Sequence, residues 1–193
     1  MHRYSIDNDS YIKILVGLTV VSALFNAMIN IVIIPAIVKN DVLIQLVTLA
    51  LSYFITFELI FVIFDKWLWM CWIFNKLTKC PNISGKWDGT IDNHEFPVVN
   101  ASVEIKQTWT KIIINLVTEN AKSKTKALTF YAEDSDNPEI YYVYESKSKT
   151  KNLSHHDGTG VLTLVKDKNR LEGYYYTDKF RKKHGDICLD KIN

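Results

Sequence analysis

Charge is missing from two long stretches of this 193-residue chain: Ile14 to Val38 carries none, and Val42 to Phe64 carries only Glu58. Stretches like these exclude surface helices of a soluble domain, which need a polar face. About 20 apolar residues cross the hydrocarbon of a bilayer at helical rise. Cysteine is scarce as well. Cys71, Cys80 and Cys188 are odd in number and share no framework spacing, which excludes a disulfide scaffold or a zinc module. A phosphate-cradling glycine loop, a nucleophile elbow and paired carboxylates are all lacking. Ser154 beside His155 and Asp157 is no triad, since neighbours on a strand face opposite ways. The sequence therefore predicts no enzyme, no metal and no other cofactor.

What is present divides the chain in two. The average composition, with a formal net charge of +2, hides this segregation. Residues 1–80 read as a membrane region: two transmembrane helices joined at Lys39-Asn40-Asp41, followed by Trp67, Trp69 and Trp72 at headgroup level. The first apolar run is too long for the 7–15-residue core of a cleaved signal peptide. Arg3 and Lys13 precede the hairpin, Lys66, Lys76 and Lys79 follow it, and only Lys39 lies in the turn. Positive residues stay in the cytosol, so both termini are expected there. Glu58 is a charge within a span. It reads either as a snorkelling or protonated carboxyl, or as a polar contact between helices in an oligomer, with Asn26, Asn30 or Gln45 as partners.

Residues 81–193 lose the helical period and alternate apolar with polar. The pattern predicts eight strands, at 83–91, 100–109, 110–118, 124–132, 139–147, 156–166, 170–177 and 184–192. Short sequential connections favour an eight-stranded antiparallel up-and-down β-barrel, whose closure removes exposed edges and leaves room for packed side chains or one small ligand. Gly85-x-Trp87 matches the start of lipocalin-type barrels, where a tryptophan plugs the closed end.

In such a barrel the turns after the first, third, fifth and seventh strands share one end. That end and its flanking strands hold ten of the 17 basic residues beyond Pro81, among them Lys124, Lys183 and Arg181. A basic rim attracts an anion, and Arg181 offers a forked phosphate contact. The other reading is an ordinary solvated surface. Thr118, Tyr144, His156, Tyr176 and Thr177 end or open strands at the same rim. Trp109, Tyr142, Tyr144, Tyr174 and Tyr176 could stack on bases or simply pack the sheet, and Tyr144 and Tyr176 are best placed to stack. The predicted ligand site is therefore Thr118, Lys124, Tyr144, His156, Tyr176, Thr177 and Arg181.

The blocks Ile83-Ser84-Gly85-Lys86-Trp87-Asp88-Gly89-Thr90, Gln107-Thr108-Trp109, Tyr142-Val143-Tyr144, His156-Asp157-Gly158-Thr159-Gly160 and Leu171-Glu172-Gly173-Tyr174-Tyr175-Tyr176-Thr177 resemble, in order and spacing, a family of bacterial membrane effectors. These are the two-helix, β-barrel effectors of cyclic-oligonucleotide antiphage signalling (CBASS). The stretch Lys179 to His184 departs from the family pattern in being longer and more basic. The resemblance implies a cytosolic barrel that recognises a cyclic dinucleotide made by a partner nucleotidyltransferase. It also implies homo-oligomerisation on ligand binding and disruption of the bacterial inner membrane, with no DNA or RNA partner. The competing expectation is a membrane-tethered, lipocalin-like module for a lipid or other apolar ligand.

Overall fold

The computed structural model describes residues 1–6, 10–32, 42–94, 97–131, 137–149, 155–165, 169–179 and 182–192. It forms two compact units, Asp9–Thr78 and a second that joins Met1–Asn8 to Lys79–Asn193.

The first unit contains α1 (Ser10–Val32), α2 (Val42–Lys66), a 3-10 turn (Leu68–Met70) and α3 (Trp72–Thr78). Helices α1 and α2 are long and apolar enough to cross a membrane, and they pack on each other. Their large apolar side chains point outward, as at Leu24, Ile31, Phe54 and Ile55, while Ser22, Asn26 and Thr56 are buried. This inverts the pattern of a soluble helix and matches helices that associate in lipid through small and polar residues. Ser22 donates to the Leu18 carbonyl at 2.7 Å and the Asn30 amide to the Asn26 carbonyl at 2.8 Å. Glu58 is exposed on α2 and bonds to neither asparagine; the Gln45 side chain and Lys39 lie outside the described residues. Trp67 and Trp72 are exposed, whereas Trp69 is buried.

The second unit has ten strands: β1 (His2–Arg3), β2 (Ser5–Ile6), β3 (Gly85–Asp92), β4 (Val99–Gln107), β5 (Lys111–Thr118), β6 (Ala121–Tyr131), β7 (Glu139–Ser148), β8 (His156–Val165), β9 (Arg170–Thr177) and β10 (His184–Lys191). Strands β3 to β10 pair antiparallel in sequence order; β10 returns to β3 and a short β5–β6 pairing closes the barrel. Alternation is the cause. Ala101, Val103, Ile105 and Gln107 turn inward on β4 and their neighbours outward, and β7 and β8 repeat the pattern. The end where the chain enters is plugged by Trp87. Its indole N–H donates to the Ile83 carbonyl at 3.0 Å. Gln107 accepts the Ile83 N–H and donates to the Pro81 carbonyl, each at 3.0 Å.

Eight strands lie within about two residues of where the sequence puts them, except at the start of β6. Strand β6 begins at Ala121, not at 124, because Thr118 Oγ1 accepts the Ala121 N–H at 3.1 Å and tightens the turn to Glu119-Asn120. Trp109 stands in the β4–β5 turn, where the Thr108 N–H donates to the Lys111 carbonyl at 2.7 Å. The pairs His2–Arg3 and Ser5–Ile6, which carry no readable alternation, are strands of the same sheet.

Candidate functional site

Opposite the plugged end the barrel holds a cavity of about 260 Å³. Its aromatic wall follows from register. Tyr142 and Tyr144 on β7 stand directly across from Gly160 and Gly158 on β8, and all four face inward. A Cβ at Gly160 would lie 2.5 Å from the Tyr142 ring, and one at Gly158 would lie 2.4 Å from that of Tyr144. The missing side chains of β8 thus make room for the two rings, whose centroids are 5.9 Å apart. His156 meets Tyr144 edge-on at 6.4 Å. Tyr175 lines the cavity from β9. Burial, with Tyr144 and Tyr175 nearby, pushes the Tyr142 hydroxyl above its ordinary range, so it stays protonated at neutral pH. Deeper in, Val103, Ile114, Leu162 and Leu189 form an apolar floor.

The mouth is polar. Thr118, Asn120, Lys124, Ser146, Thr177 and Lys183 line it. Thr177 fixes the β9–β10 turn: its Oγ1 accepts the Lys183 N–H at 2.8 Å and donates to the Lys183 carbonyl at 3.1 Å. Nearby cations are partly matched. Lys126 meets Asp157 at 2.9 Å and Glu145 at 3.5 Å, and Lys147 and His155 reach Glu145 at 3.0 and 3.1 Å. Glu145 is held below the usual carboxylate range, first by its hydrogen bond with Lys147. Lys149 donates to the Thr118 carbonyl. Among the described residues Lys124 has no carboxylate partner, so the mouth keeps a positive group of its own. No group of His, Cys, Asp and Glu among the described residues could hold a metal ion.

Of the residues singled out from sequence, Thr118, Lys124, Tyr144, His156 and Thr177 come together at this cavity. Tyr176 does not. It is 53% exposed on the outer wall, against Tyr174 at 5.5 Å and His184 at 6.3 Å. The physical reason is the period of two: with Leu171 buried, the inward positions are 173, 175 and 177. Tyr176 and Thr177 cannot share a face, and Tyr175 takes the role expected of Tyr176. That parity was available in the sequence from Leu171 onward. Arg181 lies outside the described residues. Lys183 and Tyr142, which the sequence marked only as part of a basic rim and as one stacking candidate among five, both line the cavity.

The barrel's sequence matches a known family profile. Residues 78–191, which include every long strand, match the family described as Cap15, cyclic dinucleotide receptor domain. Two relatives carry the description CD-NTase-associated protein 15. The one from Yersinia aleksiciae is 26% identical over 133 residues, covering 67% of this chain and 64% of that protein. The one from Staphylococcus schleiferi is 27% identical over 148 residues, covering 75% of this chain and 77% of that one. The chain thus spans less than two thirds of the Yersinia relative's length. Closed barrel, apolar helices and a profile covering more than half the sequence agree, and the chain belongs to the Cap15 cyclic dinucleotide receptor domain family.

Proposed function

We propose that this protein is a CBASS effector whose barrel binds a cyclic dinucleotide and whose helices, anchored in the bacterial inner membrane with both termini in the cytosol, assemble on binding and breach the bilayer. The observation that carries the reading is the cavity: a wall of tyrosine rings beneath a mouth of hydroxyls and lysines. Bases have flat faces and stack on aromatic side chains for about 1–3 kcal/mol each. Phosphates seek N–H and O–H donors and positive charge. Tyr142, Tyr144 and Tyr175 supply the first, and Lys124, Lys183, Thr118, Thr177 and His156 the second. A cyclic dinucleotide is large for a cavity of about 260 Å³, so its bases belong inside and its phosphates at the mouth.

Assembly must follow from tighter binding of ligand to the assembled state than to the single chain. The outward-facing Glu58 is the natural polar contact between neighbouring hairpins, since the interior of each hairpin is filled by Ser22, Asn26 and Thr56. The test is calorimetric titration of the detergent-solubilised protein with cyclic di-GMP, cyclic di-AMP and cyclic GMP–AMP, followed by size measurement with the one that binds. Binding should weaken as salt rises, and Tyr144→Ala should weaken it without loss of fold. If none binds, the reading fails. The apolar floor favours one alternative, a tethered carrier of an apolar molecule. That reading predicts binding of an uncharged sterol or long-chain alcohol with no salt dependence.

A further inference from the structure

Strands β5 and β6 do not run side by side along their length. They pair only at Asn115–Val117 with Lys122–Lys124. Past Thr125 the register of β6 against β7 shifts at a bulge, and bulges bend the strand that carries them. Below that point two backbone edges would be left bare. The residues before α1 fill the gap. Strand β1 pairs with β5, with His2 opposite Ile112 and Arg3 opposite Lys111. Strand β2 pairs with β6, with Ser5 opposite Thr129 and Ile6 opposite Phe130.

Side chains fasten this segment. Tyr4 meets Phe130 edge-on at 5.3 Å. Its hydroxyl donates to the Thr108 carbonyl at 3.2 Å and lies 3.1 Å from Cys80 Sγ. His2 Nε2 lies 2.9 Å from Thr125 Oγ1. Thr125 is the junction. Its oxygen also accepts the Ile114 N–H from across the seam at 3.0 Å, and the residue is buried and lines the cavity. Ile114, Leu116 and Thr118 line the cavity from one side of the seam, and Ser123, Lys124 and Thr125 from the other. Whatever holds the seam closed therefore shapes the pocket.

We infer that His2 and Tyr4 are positioning residues of the pocket: the segment His2–Ile6 closes the seam and fixes Thr125, so that docking of this segment and occupancy of the cavity strengthen each other. The inference rests on reading the cavity as a ligand site. Coupling of this kind is reciprocal, and the factor by which the docked segment raises affinity is the factor by which ligand favours docking. Only residues 7–9 separate Ile6 from the first residue of α1, Ser10. The segment is thus a covalent route from pocket to helix.

Cys80 reports on docking, since it is fully buried and its sulfur meets the Tyr4 hydroxyl. The experiment uses full-length protein in detergent with Cys71→Ser and Cys188→Ser, and follows N-ethylmaleimide labelling of Cys80. Cyclic di-GMP, cyclic di-AMP and cyclic GMP–AMP are the probes. His2→Ala should speed labelling about five-fold or more and weaken the binding of any probe that binds by a similar factor. His2→Gln, which keeps a hydrogen-bonding group for Thr125, should restore both, and a bound probe should slow labelling when His2 is present. Equal labelling and equal affinity in His2→Ala overturn the inference. So does an affinity loss with labelling indifferent to the probe, which would make the segment merely structural. Should no probe bind the unaltered protein, the nucleotide reading falls, and exchange of the Ile114 amide decides the seam. It must exchange faster in His2→Ala, and an unchanged rate overturns the positioning role.

Discussion

Gly160→Ala is the most direct probe of how the pocket is built. The three atoms nearest an added Cβ all belong to the Tyr142 side chain, at 2.5 to 2.7 Å. At Gly158 one of the three is instead the Tyr176 carbonyl oxygen, at 2.5 Å. The change at 160 therefore acts on one ring, and a contact that short forces the ring to move. Overpacking of this kind costs about 1–3 kcal/mol, or a fall in melting temperature of roughly 4–12 °C for a barrel of this size. Tyr142→Ala alone should cost about 3–5 kcal/mol as a large aromatic truncation. In the double variant the clash has no partner, so the combined loss should fall short of the sum by most of the overpacking term. Thermal unfolding followed by tyrosine and tryptophan fluorescence reads all four proteins. Additivity within about 0.5 kcal/mol would refute the stacking of ring on glycine. The single Gly160→Ala protein should also lose affinity for its ligand, because the displaced ring enters the cavity.

Burial pushes the Cys80 thiol from its ordinary 9.0 up to about 12, opposed in part by hydrogen bonds from Tyr4 and Gln107. The unfolded chain ionises this thiol first, so its contribution to stability is intact below pH 9 and lost as pH rises towards 12. Between pH 9 and 10 this adds a slope of up to about 1.4 kcal/mol per pH unit, which denaturant titrations should find missing in Cys80→Ala. Glu58→Leu should reduce ligand-dependent assembly in detergent, measured by light scattering, and weaken nucleotide binding only by the share that assembly contributes; normal assembly would remove Glu58 from the contact. A reporter fused after Asn193 should be active only in a cytosolic format, and periplasmic activity would reverse the expected orientation. Arg170→Ala removes a forked contact to Asp190 on the outer wall, with bonds of 2.6 and 3.2 Å. That exposed, solvent-screened pair should contribute little, so Arg170→Ala should leave the melting temperature nearly unchanged, and a marked fall would mean that the outer wall bears more of the fold.

The barrel was legible in the sequence because a half-buried strand writes its period into its side chains. The eight long strands do so, from Val103-x-Ile105-x-Gln107 to Ile187-x-Leu189. The segment His2–Ile6 does not, since strands of two residues have no period to show, and its pairing depends on a gap that exists only in the folded sheet. That gap comes from the bulge in β6, where Ser123-Lys124-Thr125-Lys126 reads as a plain alternation of small and basic residues. The pocket was half legible. The concentration of basic residues pointed to the end that holds the cavity, and strand ends there supplied Thr118, Tyr144, His156 and Thr177. Charge was a poorer guide to single residues, because Lys126 and Lys147 at that end are tied to Glu145 and Asp157.

Among the described residues, the tryptophan stopper at one end leaves the barrel open at the other. A guest must leave by the path it entered, past Lys183 and Thr177. Groups at a doorway are met on the way in and on the way out, whereas groups at the seat are met only once the guest has arrived. Alterations that narrow or widen the threshold without removing the groups that hold the phosphates should therefore quicken or slow both journeys together and leave the equilibrium nearly where it was. Alterations to the tyrosine wall should shorten the stay alone. On the proposed reading, the wall decides whether the message is held, and the doorway decides how soon it is heard.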